Sequence, residues 1–70
     1  MNATLTVPTP EMLLSSSPIP ELRRLVVEST DDEVIIRGKV SSYYVKQMAQ
    51  ESLRSAVGPR RILNRVVVTR

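Results

Sequence analysis

The sequence predicts one small α+β domain: a three-stranded mixed sheet with two helices packed on one face, in the order helix, strand, strand, helix, strand. Three stretches carry that prediction. Glu33-Val34-Ile35-Ile36-Arg37-Gly38-Lys39-Val40 alternates like a strand, with Val34, Ile36 and Val40 on one face and Ile35, Arg37 and Lys39 on the other. The pattern then changes to a helical period, in which Val45, Met48, Ala49, Ser52, Leu53 and Ala56 fall on one side. Residues 61–68 alternate again, with Ile62, Asn64, Val66 and Val68 in one row and Arg61, Leu63, Arg65 and Val67 in the other.

Taken in order, residues 1–8 end in a proline and read as a flexible tail, which leaves residues 9–70 for the domain. Thr9 is an N-cap, Pro10 suits the first helical position, and Glu11 lies near the positive end of the helix dipole. This first helix, over 10–16, is short; Met12, Leu13 and Leu14 are its bulky apolar residues, and Pro18 ends it. Two turns of helix are not stable alone, so tertiary packing must hold them. Ser17-Pro18-Ile19-Pro20 reads as a stiff connector with two fixed φ angles.

A first strand is expected over 23–30, with Leu25 and Val27 toward the core and Arg24, Val26 and Glu28 away from it. Asp31-Asp32 makes the hairpin turn, looser than an Asn-Gly or Asp-Gly turn because tight hairpins need positive φ. Gly38 lies on the apolar-facing row of the second strand, so something should approach the backbone closely there. Ser41 or Ser42 caps the second helix, which runs to about Ala56 and turns Lys46, Gln47, Gln50, Glu51 and Arg54 outward. Gly58 and Pro59 stop it. The crossover into the last strand should be right-handed, whereas the position of that strand beside the first or the second stays open.

At 70 residues the core is small, and natural domains of this size often rely on disulfides, a metal or a partner subunit. There is no cysteine and no histidine, which removes disulfides, thiolate chemistry, zinc sites with N or S ligands and histidine acid–base schemes. Tyr43 and Tyr44 are the only aromatics, so the core must be aliphatic. No stretch approaches the roughly 18 apolar residues of a membrane span. No secretory leader is visible, which points to the cytoplasm, or to the periplasm if the chain is a trimmed fragment. Charge is uneven: residues 1–33 carry two arginines against six carboxylates, and residues 34–70 carry eight cations against Glu51. A basic half of this kind suits an anionic partner.

These residues resemble a known family. The pattern Val34-x-Ile36-x-Gly38-x-Val40, the alanines Ala49 and Ala56 on the helix face, and Ile62-x-Asn64-x-Val66-x-Val68 are similar to the BON domain, a small bacterial module first described in osmotic-shock and nodulation proteins. The segment from Gly38 to Gln50 is similar to short stand-alone members, and the resemblance spans about Met12 to Val68. The chain departs from the family pattern at Asp32-Glu33, where Asp-Gly is usual, at Pro59, and in its short first helix. The resemblance implies the αββαβ fold and attachment to phospholipid membranes or to partner proteins, without catalysis. Many members lie in the periplasm behind a signal peptide.

The outer face of the sheet is the distinctive surface. Alternation places Arg24, Val26, Glu28, Ile35, Arg37, Lys39, Arg61, Leu63, Arg65 and Val67 on it, with Arg60 and Arg70 near its edges. Arg37, Lys39, Arg61 and Arg65 could meet an anionic lipid surface, with the aliphatics dipping into the headgroups. Alternatively Ile35, Leu63 and Val67 form the dry centre of a protein or homo-oligomer interface. A third reading is a solvated face whose arginine stems cover the aliphatics. Nucleic acid fits poorly: the element order resembles KH-type modules in outline, but there is no GxxG loop and no aromatic on the sheet. Asp31-Asp32-Glu33 lacks the spacing and glycine of a calcium loop and reads as a solvated turn. Tyr43 and Tyr44 are expected to close the rim of the core, and Asn64 to bond loop backbone near Gly58. No nucleophile has a plausible base, so neither an enzyme, a small-molecule substrate, a cofactor nor a metal is expected.

Overall fold

A computed structural model describes residues 9–69. The expected flexible tail, residues 1–8, lies outside the described residues, as does Arg70. The elements are α1 (Pro10–Ser15), α2 (Pro20–Arg23), β1 (Val26–Ser29), β2 (Glu33–Val40), α3 (Tyr43–Val57) and β3 (Arg61–Val68). They form an α+β fold around one three-stranded mixed sheet in the order β1-β2-β3. β2 is central, antiparallel to β1 and parallel to β3. The sheet position of the last strand, open in the sequence, is therefore beside β2.

α1 begins as its residues dictate: Thr9 Oγ1 accepts from the Met12 N–H at 3.2 Å, and Pro10 occupies the first turn. The helix ends one residue earlier than expected, at Ser15, because the Ser15 and Ser16 hydroxyls both donate to the Met12 carbonyl and compete with the helical pattern. Leu14 is buried, Leu13 is half-buried, and Met12 is exposed.

The first clear correction is α2. The sequence predicts a connector at 17–20 and a strand from Arg23, but Pro20–Arg23 is a helical turn. Pro20 starts it with a φ already suited to helix, and burial of Leu22 holds it in place. Four residues cannot make a helix by propensity alone, so this turn exists because of what it packs against. β1 is correspondingly shorter, and Leu25 and Arg24 precede it. Leu25 is still buried, whereas Arg24 drops off the sheet face.

The β1–β2 turn closes without a positive φ, since among the described residues only Gly38 and Gly58 have one. Thr30 holds it instead: its N–H donates to the Glu33 carbonyl at 2.8 Å, and its hydroxyl accepts from the N–H groups of Asp32 and Glu33. That side-chain staple replaces the Asp-Gly geometry that the sequence lacks.

α3 is capped by Ser42, whose Oγ accepts from the Val45 N–H at 3.3 Å. Ser41, the alternative cap, instead donates its N–H and hydroxyl to the two carboxylate oxygens of Glu21, at 2.6 and 2.9 Å. The helix runs one residue further than expected, and Val57 joins Ala49 and Leu53 in the core while Ser52 is exposed. Gly58, at φ +58°, ends it.

A single apolar cluster joins Leu14, Leu22 and Leu25 to Val34, Ile36, Val40 and Val66 of the inner strand rows and to Ala49, Leu53 and Val57 of α3. The other row of each strand is exposed or half-buried, which is the distribution that helices on one face would produce. Gly38 is what lets this cluster close. A Cβ there would lie 2.6 Å from Leu25 Cδ2, and its φ of +137° is one that residues with side chains rarely adopt. The close neighbour anticipated at Gly38 is thus Leu25, from the α2–β1 link.

Gly38→Ala is expected to destabilise the fold by about 1–3 kcal/mol, read as a lower urea midpoint at unchanged slope. Because a leucine tip can swing away but the backbone strain stays, combining it with Leu25→Ala should recover only a minor part of the Gly38 cost in a double-mutant cycle.

Candidate functional site

The outer face follows from strand register. Reading across the sheet, Val26, Arg37 and Arg65 form one row, and Glu28, Ile35 and Leu63 the next. Glu33 stands beside Arg61 at one end of β2 and β3, and Lys39 beside Val67 at the other. All six residues singled out from the sequence, Ile35, Arg37, Lys39, Arg61, Leu63 and Arg65, therefore share this face, because each occupies the same parity on β2 or β3. The four cations are exposed, and Ile35 and Leu63 are half-buried in the middle.

Its cations are not equivalent. Arg37 meets Glu28 at 3.2 Å, with both side chains more than half exposed. Arg61 meets Glu33 at 2.9 Å. Such surface pairs contribute at most about 1 kcal/mol, but they halve the charge that the face presents. Lys39 and Arg65 have no carboxylate partner among the described residues. Arg65 also stands directly beside Arg37, a like-charge neighbour that opposes close stacking of a second basic surface.

Arg24 and Arg60, both assigned to this face or its margin, are elsewhere. Arg24 caps the end of α2, before the strand begins. Arg60 turns away to close α3: its Nε donates to the Val57 carbonyl at 3.0 Å and a terminal nitrogen to the Ala56 carbonyl at 2.9 Å. Arg70 lies outside the described residues. A cation at a helix C-terminus satisfies carbonyls that the helix leaves unpaired, and the sequence signal was its place just after Gly58-Pro59.

Two polar expectations are corrected. Asn64 does not bond the loop near Gly58. Its Nδ2 donates to the Lys46 carbonyl at 3.0 Å and to Gln50 Oε1 at 3.3 Å, and its Oδ1 accepts from the Val66 N–H at 3.2 Å. It ties β3 to the side of α3, which is why Lys46 and Gln50, expected to face outward, are half-buried. Tyr43 and Tyr44 do not close the core rim but are 65% and 72% exposed. Burial on α3 begins only with Val45, because the inner row of β2 has already finished at Val40.

Among the described residues, no three His, Cys, Asp or Glu side chains are placed to hold a metal ion. No helix among them is long and apolar enough to cross a membrane. What the arrangement offers is a basic and aliphatic surface able to meet an anionic partner through charge and shallow apolar contact. No protein-family model, curated protein or solved structure matches the chain.

Arg60 is structural, whereas Arg65 is free. Arg60→Ala should lower stability by about 1 kcal/mol through the lost carbonyl bonds, whereas Arg65→Ala should stay within about 0.5 kcal/mol of the parent. Thermal unfolding followed by far-UV circular dichroism separates the two; equal losses would contradict the assignment.

Proposed function

We propose that this chain is a non-catalytic binding module that attaches to an anionic phospholipid surface through the basic and aliphatic side of its sheet. The observation that carries this reading is the pair of exposed cations without carboxylate partners, Lys39 and Arg65, set on one face with Val26 and Val67, which are also exposed. Each cation held at an anionic membrane surface contributes about 1 kcal/mol, and a few together are enough for reversible attachment. The resemblance of the Gly38–Gln50 segment and the β2 and β3 patterns to BON domains supports the same reading. On this account the cytoplasmic leaflet, rich in anionic lipid, is the natural surface for a chain in the cytoplasm.

The rival occupant of the face is another protein or a second copy of the chain, with Ile35, Leu63 and Val67 at the centre. Against a second copy stand Arg37 and Arg65 side by side, since stacking two such faces brings four guanidinium groups together. Sedimentation equilibrium is expected to show a monomer whose state does not change with Leu63→Glu.

Co-sedimentation with vesicles tests the main reading. Binding is expected to phosphatidylcholine vesicles carrying phosphatidylglycerol, to fall steeply with added salt, and to be absent for phosphatidylcholine alone. Glu28→Gln, which releases Arg37, should strengthen it, and Arg65→Glu should weaken it by more than about fivefold. Equal, negligible binding to both vesicle types removes the proposal.

A further inference from the structure

The exposed large side chains are not spread evenly over this molecule. Val67 (53% exposed), Tyr43 (65%) and Tyr44 (72%) lie where β2 finishes, and Val26 (57%) stands beside Arg37, three residues before that end. Val26 opens β1 opposite Arg37, Val67 pairs with Lys39 near the end of β3, and the tyrosines start α3 just beyond Val40. Among the large hydrophobic residues described, only Met12, on α1, is exposed to a similar degree elsewhere.

Charge divides the same way. Lys39 stands at this end and Arg65 beside Arg37 in the middle of β2, both without carboxylate partners among the described residues. Arg24 adjoins it, because the next residue, Leu25, abuts Gly38. The nearest carboxylates are engaged: Glu21 by Ser41, and Glu28 by Arg37. The other end of β2 carries Asp31, Asp32 and the Glu33–Arg61 pair. One end of the sheet is thus aromatic, aliphatic and cationic, and the other acidic or neutralised.

We infer that the chain meets the membrane end-on, with the end at Tyr43, Tyr44, Lys39 and Val67 entering the headgroup region while the Asp31-Asp32 turn points away. This rests on the membrane reading above and replaces contact along the whole face by contact at one end. Tyrosine suits the position: its ring prefers the apolar side of the boundary and its hydroxyl the wet side. The cations beside the rings complement lipid phosphates. Near the start of α3, Ser42 already takes the Val45 N–H and Glu21 the Ser41 N–H. An acidic extended protein could use the same charges but gains less from two adjacent, largely exposed rings. The acidic end supplies the orientation, since a carboxylate-bearing turn is repelled by the surface that attracts Lys39.

The two tyrosines are the only aromatics, with no tryptophan, so the unmodified chain carries its own reporter. Tyrosine emission is expected to be quenched when the chain binds phosphatidylcholine–phosphatidylglycerol vesicles whose acyl chains are brominated. Tyr43→Ser with Tyr44→Ser should weaken vesicle binding by about tenfold, from lost apolar contact. Lys39→Gln should weaken it by about fivefold. Arg61→Gln, at the far end, should change it by less than about twofold, because its distance exceeds the screening length. If the tyrosine pair variant fails to fold, quenching of the parent chain decides alone. Unquenched emission from bound parent chain, or weakening by Arg61→Gln and Leu63→Ser as large as by the tyrosine pair, overturns end-on contact but leaves membrane attachment standing. No binding of the parent chain to anionic vesicles removes both. Binding to polyglutamate as tight as to vesicles, with the same tyrosine dependence, assigns this end to an acidic protein and overturns the inference.

Discussion

The contact between Leu25 and the bare backbone of Gly38 sets the rest of this structure. A sheet of three strands offers few inner positions, and the central strand gives up one of them at Gly38. The space goes to a leucine from the α2–β1 link. That places α2 against the end of β2, lets Leu22 reach the core, and brings Glu21 to Ser41. A side chain at position 38 would be strained at that φ and would push the tip of Leu25 aside, loosening the link that follows the short helix. A chain of this length has no disulfide to compensate, so the first third of the domain is held only by non-covalent contacts of α1 and α2 with α3 and the sheet.

Committing the helices to the inner rows leaves the outer row of β2 and β3 to solvent or to a partner. The charges there are arranged with a direction. Ion pairs neutralise the start of β2 and part of its middle, which leaves Arg65 free beside that middle and Lys39 free near the end. Surface ion pairs contribute little to stability, so their consequence lies in where they leave net charge. The uneven charge visible in the sequence is therefore sharper in three dimensions than along the chain. The carboxylates of the first half reach across to individual cations of the second, and the unmatched ones are left together.

Local capping does the rest. Thr9, Ser42 and Arg60 each close a helix end, and Thr30 holds a turn that lacks the usual glycine. Asn64 ties the outer strand to α3 and occupies the Val66 N–H, a group that points away from β2 in the ladder implied by the bonds of Arg61 and Thr69. An edge strand that covers one of its own donors and carries Arg61 and Arg65 is a poor template for another strand. This leaves the end of the sheet as the place where the molecule presents apolar surface.

The sequence by itself determined the two long strands, the long helix, the Thr9 and serine caps, and which residues of β2 and β3 share a face. Each of these follows from a period of two or 3.6 residues or from a capping residue, and such signals survive without knowing the neighbours. Tertiary structure alone decided the α2 turn, the bonds of Asn64, the diversion of Arg60 from the sheet to the helix end, and the exposure of Tyr43 and Tyr44. Those outcomes depend on which group happens to stand opposite across the fold: Leu25 against Gly38, Lys46 and Gln50 against Asn64, and no inner-row residue beyond Val40 for the tyrosines to cover. Long-range partners leave no period in the chain.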